Sequence, residues 1–437
     1  MIKQKTARAV ALTCLGAIFQ EGAYSNLVLD KQLRHSDLSS VDKSLVSELV
    51  YGTLSHKLTL EWYVAHFIAD REKLEPWVYH LLLMSFYQIV YLEKVPDHAV
   101  VSESVALAKS RSKTGAEKLI NGVLRQLLRQ GVPDIAEIKR KNKRYAVRYS
   151  LPVWLVKKLI DSYGEVRARA IFESLLVPSK VSCRVVDITQ KDKLAKELSL
   201  QPSVLSPVGL VGEKGHLAAS VAFQSGAVTL QDESSQLVAP TLALAEDDRV
   251  LDACAAPGGK TAHMASYLTT GTVTALDLYD HKLALIRDNA KRLHVLDRVK
   301  TKKLDARLVH EHFAADSFDK ILVDAPCSGL GLLRRKPDIR YNKSASDFEE
   351  LAKIQLEILE SVCQTLRKGG IITYSTCTIS WEENFGVLKT FLEKHKDFRL
   401  VPLQHDKKDI MVDGCLLITP ELYGSDGFFI GQLERIA

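Results

Sequence analysis

The chain contains no unbroken apolar run approaching the roughly 18 residues that a membrane helix requires. Its longest candidate, around Leu81 to Val90, is interrupted by Ser85 and Gln88. The apolar stretch near the N-terminus carries Arg8 inside it and closes on no small-residue cleavage pattern, so no secretory leader is expected. No two of the seven cysteines stand in a C-x-x-C pair, and an odd number in a chain this long speaks against a disulfide framework. A structural zinc site lacks its usual ligand spacing for the same reason, and no metal is expected. Low-complexity tracts and internal repeats are missing too. A reducing cytoplasm is the expected setting, and any cysteine that matters does so through its chemistry.

What is present is a foldable chain. Hydrophobic residues make up 46% and charged residues 26% of 437, an ordinary globular balance. At about 150 residues per domain the length corresponds to roughly three domains. The net charge of +6 is unevenly spread: residues 1–150 hold 22 Lys and Arg against 15 Asp and Glu, and the remainder 37 against 38. Lys139 to Arg148 holds six basic residues and no acid, with Tyr145 and Tyr149 beside them. Such a run is either a solvated linker or a strip that contacts phosphates.

From Lys3 to about Gln130 apolar residues recur at spacings of three and four, for example Leu45 and Leu49, or Tyr51 and Leu54, which predicts an all-α bundle. Gly131, Pro133 and the basic run read as a linker, followed by a helix from Pro152 to about Leu176. Val181 to Asp187 alternates like a strand, Lys191 to Leu198 reads as a short helix, and turn residues dominate to Leu230, so a small α+β unit is expected. From Arg249 short apolar runs alternate with helical segments, the pattern of a doubly wound parallel sheet. The expected domains are 1–138, 139–235 and 236–437.

Ligands of doubly wound sheets bind beyond the C-terminal ends of the strands. The first such strand runs into Cys254, Ala255, Ala256, Pro257, Gly258, Gly259 and Lys260, a loop of small residues that lets a ligand approach the backbone. It has neither the G-x-G-x-x-G spacing of a dinucleotide site nor that of a phosphate loop. Asp277, 18 residues after Gly259, ends the second strand where a carboxylate can accept from a ribose diol. Asp305 follows the third strand and is placed to take an adenine amino group, and Asp324 ends the fourth. A nucleoside-containing cofactor fits this set.

Two cysteines, Cys327 and Cys377, stand just past the fourth and fifth strands. Cys14, Cys183, Cys363 and Cys415 read as small buried hydrophobes. Two thiols beside a nucleoside cofactor suit one problem in particular. Carbon-5 of a pyrimidine is a poor nucleophile until a thiolate adds at carbon-6, and after alkylation the thiol must be eliminated with help from an acid or base. Asp324 is placed to stabilise charge on the attacked ring. Spacing alone does not rank the two thiols.

These segments closely resemble the RNA 5-methylcytosine methyltransferase family, through LDACAAPGGKTAHMA, ALDLYDHKL, FDKILVDAPCSGLGLLRRKPDIR, YSTCTI with Glu383-Asn384, QDESSQLVAP and the closing DGFFIGQLER. LVSELVYGTLSHK, VPDHAVVSESVALAKS and INGVLRQLLR resemble the NusB-type RNA-binding domain. The resemblance implies an all-α NusB-like domain, a small RRM-like α+β linking subdomain and a Rossmann-like methyltransferase domain. It implies S-adenosyl-L-methionine held by Cys254 to Lys260, Asp277, Asp305 and Asp324, and small-subunit ribosomal RNA as partner. It further implies Cys377 as nucleophile, Cys327 in product release, and Lys260 and Asp324 in support of the attacked base. The family usually places a proline before Glu-Glu-Asn where this chain has Trp381, which bears on loop shape more than on chemistry.

Arg334, Arg335, Lys336 and Arg340 follow the Cys327 loop and are read as phosphate contacts or as a solvated face. A target base has to leave its stack to reach a thiolate in a pocket. A monomer is expected. An RNA-binding assembly factor with a degenerate enzyme fold is the competing reading, which the intact loop, carboxylates and thiols oppose; a nicotinamide dehydrogenase lacks its glycine spacing.

Overall fold

The computed structural model describes residues 6–111, 115–213, 215 and 217–437, which divide into two compact units. One comprises Met1–Leu176 together with Arg335–Asn342, the other Val177–Arg334 and Lys343–Ala437.

The first unit is helical: α1 (Ala7–Glu21), α2 (Ser25–Arg34), α3 (Ser40–Ser55), α4 (Lys57–Ala65), α5 (Pro76–Tyr91), α6 (Asp97–Arg111), α7 (Ala116–Gln130), α8 (Lys141–Tyr149) and α9 (Val153–Ser174). Local chemistry sets the boundaries. Thr6 and Ser39 accept from Ala9 N and Asp42 N at 3.3 and 3.1 Å, capping α1 and α3. Gly22 closes α1 with a left-handed φ of 66°, which glycine adopts without a Cβ penalty. The apolar run around Leu81 is the buried centre of α5, packed with Leu12, Leu15, Leu49 and Leu124 in one core. Its two polar interruptions are satisfied there: the Ser85 hydroxyl meets Ser104 at 2.8 Å, and Gln88 accepts from Arg8 at 2.8 Å.

The basic stretch expected as a linker is largely helical. α8 buries Ala146, Val147 and Tyr149, because these positions face α9. Tyr149 packs on Phe172 with centroids 5.5 Å apart, so its ring is spent on the core and is no stacking platform. Tyr145 donates to Glu165 at 2.9 Å.

Arg335–Asn342 is built into this helical unit, which corrects part of the phosphate reading. Arg340 is fully buried and donates to the carbonyls of Ser55 (2.9 Å), Tyr149 (3.3 Å) and Leu175 (3.1 Å). Those residues end α3 and α8 and directly follow α9, so one guanidinium serves the orphan carbonyls of three helix ends. Tyr341 adds a 2.8 Å bond to Leu54 O.

The second unit opens with a small sheet, β1 (Val181–Val185), β2 (Gln201–Pro202), β3 (Gly209–Gly212) and β4 (Val228–Leu230), in the order β2-β3-β1-β4 and antiparallel throughout. The helix Lys191–Leu198 contributes Leu194 and Ala195 to its core. The large sheet follows: β5 (Arg249–Asp252), β6 (Thr272–Asp277), β7 (Val299–Lys303), β8 (Phe318–Asp324), β9 (Leu366–Thr376), β10 (Phe398–Leu400), β11 (Met411–Val412), β12 (Cys415–Ile418) and β13 (Phe428–Arg435). Its order is β11-β12-β13-β9-β8-β5-β6-β7, with β10 beside β13. β5 to β9 are mutually parallel and β13 is antiparallel to β9, as expected for a doubly wound sheet with an antiparallel margin. The order reverses at β5, which places a ligand crevice beyond the ends of β5 and β8. Among the described residues no helix is long and apolar enough to cross a membrane, and no cluster of His, Cys, Asp and Glu can hold a metal.

Candidate active site

The crevice is built where strands stop. β5 ends at Asp252, and the chain turns through Ala253–Gly258 into the helix Gly259–Ala265. Gly258 has φ 100°, and a Cβ there would lie 2.9 Å from Ile286 Cα, so the turn requires glycine. A cavity of about 280 Å³ opens beside this loop. Cys254, Ala255, Ala256, Pro257, Gly259 and Lys260 line it, with Asp252, Asp324 and Cys377. Gly258, Asp277, Asp305 and Cys327 stand outside this lining.

Lys260 Nζ lies 2.6 Å from Asp324 Oδ2, and the Ser375 hydroxyl donates to Asp324 Oδ1 at 2.8 Å. Strand register makes this possible, since Asp324 on β8 pairs with Ser375 on β9. Asp252 is buried and takes a 2.6 Å bond from Thr261, while its Oδ1 has no partner. Burial pushes the Asp252 carboxyl up to about 7. Burial, with Asp252, Asp324, Asp277 and Asp305 around it, also raises the Cys254 thiol, which keeps it neutral. Asp277 accepts from Tyr279 N at 3.1 Å. Asp305 is engaged by Arg307 at 2.7 Å, which holds its carboxyl below the usual range.

The two thiols meet: Cys327 Sγ and Cys377 Sγ are 3.1 Å apart and unbridged. Hydrogen bonding to Cys377 and burial push the Cys327 thiol well above its ordinary value, so it holds its proton at neutral pH. Cys377 is the member that faces the cavity.

Residues of the Glu383-Asn384 motif hold this pair in place, a role that sequence reasoning had left unassigned. Glu383 is fully buried and accepts from Ser328 N at 2.7 Å, from the Ser328 hydroxyl, and from Thr378 at 3.3 Å. Ser328 follows Cys327 and Thr378 follows Cys377, so one carboxylate binds both thiol loops. Burial raises the Glu383 carboxyl above its usual range. Gln355 donates to Glu383 at 3.2 Å and to Pro326 O at 2.8 Å. Asn384 accepts from Thr376 at 2.6 Å and donates to Thr378 O at 3.0 Å, gripping the chain on either side of Cys377. Trp381 is half exposed, and its carbonyl accepts from Gly386 N at 2.9 Å, so the loop forms without proline.

Asp232, in the QDES segment, lines the other side of the cavity and accepts from Ser425 and Asp426 N at 2.7 and 3.2 Å. Arg334 donates to Gly424 O at 2.8 Å and to Pro420 O, which spends it on the segment before β13 rather than on a phosphate.

This parallel sheet with its antiparallel margin, closed on a small-residue loop and strand-end carboxylates, is the fold of an S-adenosylmethionine-dependent methyltransferase, preceded in the chain by a helical domain. The family described as 16S rRNA methyltransferase RsmB/F matches residues 239–434, and the NusB family matches residues 5–129. The probable ribosomal RNA small subunit methyltransferase B of Bacillus subtilis (strain 168) is 41% identical over 446 residues, covering 99% of this chain and 100% of its own. Its namesake from Synechocystis sp. is 29% identical, with 98% and 99% covered. The solved structure of PH0851 superposes with a TM-score of 0.83 over 100% of this chain and 99% of its own at 24% identity, a likeness of fold. The chain belongs to the ribosomal RNA small subunit methyltransferase B family.

Proposed function

We propose that the protein methylates carbon-5 of a cytosine in small-subunit ribosomal RNA, through a transient bond between Cys377 Sγ and carbon-6 of the ring. The observation that carries this reading is the placement of Cys377 on the cavity wall with Lys260 and Asp324, 3.1 Å from a second thiol that keeps its proton.

The residues fit an adenosine-bearing methyl donor. The glycine turn before Lys260 leaves the backbone open to a ligand, Asp252 Oδ1 is a buried acceptor without a partner, and Asp277 has acceptor capacity beyond its bond to Tyr279. The loop Cys254 to Lys260, Asp277, Asp305 and Asp324 are the residues that would hold S-adenosyl-L-methionine, with Asp305 sharing its carboxylate with Arg307. When bound, that group supplies an electrophilic methyl for carbon-5.

Cys377, as thiolate, forms the bond to carbon-6 and breaks the ring's 5,6 double bond, so the electron pair gathers at carbon-5. The Lys260–Asp324 pair, 2.6 Å across, faces the charge that develops on the ring. Once carbon-5 carries its methyl group, a base removes the carbon-5 proton, the 5,6 bond re-forms, and the carbon–sulfur bond breaks to return the thiolate. The Cys327 thiol, 3.1 Å away, is not that base; it keeps its own proton and can donate a hydrogen bond to the departing Cys377 sulfur, the part assigned to it in product release. Cys254, kept neutral, does not compete as nucleophile.

Methyl transfer from labelled S-adenosylmethionine to unmodified 16S rRNA, followed by nucleoside analysis and mapping of the labelled base, tests the reading. Label in 5-methylcytidine is expected. Label in another base, or on a nitrogen or ribose oxygen, overturns it.

A further inference from the structure

The helical unit carries a second cleft, of about 510 Å³, between α1, α2 and α5 and the end of α6. Its floor is open because residue 16 is glycine. Gly16 lies in the interior of α1, where glycine is the poorest helix former after proline. A Cβ built there meets nothing closer than Gln20 Oε1 at 3.9 Å, so no neighbour demands the small residue. The space over Gly16 is therefore kept free of side chain.

The walls combine apolar Leu12, Ala17, Ala23 and Val28 with polar and cationic side chains. His80, on α5, lines the cleft with 6% exposure, and its Nδ1 has no hydrogen-bond partner. A buried polar atom left unpaired in a protein is uncommon and points to a missing partner. Burial pushes the His80 imidazole down to about 4, so the ring is neutral and offers one N–H and one lone pair. Trp77 presents an aromatic surface to the same space, and the Gln20 amide projects from α1. Lys31 and Arg111 also line it, with Arg111 steadied by a 3.1 Å bond to Thr13. Glu21 is the one carboxylate among the lining residues.

We propose that this cleft binds an unpaired nucleobase of the substrate RNA, with the Trp77 ring and the His80 imidazole against the base and Lys31 and Arg111 on the flanking phosphates. Side chains of this mixture, an aromatic face, a neutral imidazole and an amide, suit the π-face and hydrogen-bonding edge of a splayed base. Lys31 and Arg111 against Glu21 leave the lining with a local excess of positive charge that suits flanking phosphates. The inference rests on an RNA substrate and adds a docking point remote in sequence from the thiols.

The test uses the full chain and a 16S rRNA fragment carrying 4-thiouridine. Gly16→Leu fills the floor and improves helix propensity, so its thermal midpoint should equal or exceed that of the unmodified protein. Its Kd for the fragment should rise about tenfold, the scale of losing one stacked base. Arg111→Gln, which leaves the helices intact, should weaken binding in a salt-dependent manner. Photocrosslinks should map to the peptide holding Trp77 and His80 and vanish in Gly16→Leu. Unchanged Kd in both variants, crosslinks confined to other peptides, or a cleft that binds a poly-glutamate peptide instead of RNA would each overturn the proposal. If the enzymatic reading alone fails, the unmodified protein transfers no methyl group while the Kd comparison still stands.

Discussion

Glu383 Oε2 accepts the backbone N–H of Ser328 at 2.7 Å across 55 residues of sequence, and through this bond the chain after one thiol is tied to the loop that carries the other. The carboxylate also receives Thr378, so the spacing of Cys327 and Cys377 depends on a group that touches neither sulfur. Glu383 is a positioning residue in this arrangement.

Replacing it should uncouple geometry from folding. Glu383→Ala removes the acceptor of four donors and should lower methyl transfer by roughly 10²-fold, the usual consequence of a misplacement near 1 Å. Glu383→Gln keeps one carbonyl acceptor and should restore part of the rate. A bifunctional thiol reagent that bridges Cys327 and Cys377 should label the unmodified protein and Glu383→Gln but not Glu383→Ala. Equal bridging in all three would remove Glu383 from this role.

Asp252 predicts a pH dependence of stability. Its carboxyl is pushed up to about 7 in the folded chain, against about 3.9 when unfolded. Folding therefore favours the protonated form, and the stability so gained is complete below pH 4 and lost as pH rises through 7. Relative to Asp252→Asn, the unmodified protein should lose roughly 2–4 kcal/mol between pH 4 and pH 8. Denaturant midpoints of both proteins at the two pH values measure the difference.

Arg340 predicts a stability effect in the helical unit. Arg340→Ala leaves carbonyls at the ends of α3, α8 and α9 buried without a donor, and should destabilise the unit by about 3–5 kcal/mol. A lysine ammonium is a single point without the two spread nitrogens with which Arg340 spans these carbonyls, so Arg340→Lys should recover less than half. Hydrogen exchange of α3 and α8 should report the loss. Retained thermal stability in Arg340→Ala would contradict the assignment.

Much of this is legible in the amino-acid sequence. Apolar spacing gave the helical bundle and the alternation of strands and helices gave the sheet, because burial dictates both patterns. The strand-end residues Asp324 and Cys377 fall on one crevice because parallel strands in register bring their ends together. Arg334 and Arg340 misled for a physical reason: a guanidinium serves buried carbonyls as well as phosphates, and local sequence cannot tell which acceptor lies across the fold. Tyr149 misled likewise as a stacking partner, since its 4% exposure depends on Phe172 of α9. Glu383 was visible as a motif but not as a clamp, because its partners Ser328 and Gln355 are distant in sequence. Gly16 carried no local signal, as an interior helix glycine acquires meaning only from the empty space above it.

The proposed transient bond between sulfur and carbon is tested most directly by trapping it. Cys327→Ala, incubated with 16S rRNA and S-adenosylmethionine, should accumulate a protein–RNA complex that survives denaturing electrophoresis and maps by peptide to Cys377, while Cys377→Ala forms none and transfers no methyl group. A complex mapped to Cys327 in the Cys377→Ala protein, or full methyl transfer by Cys377→Ala, would contradict it.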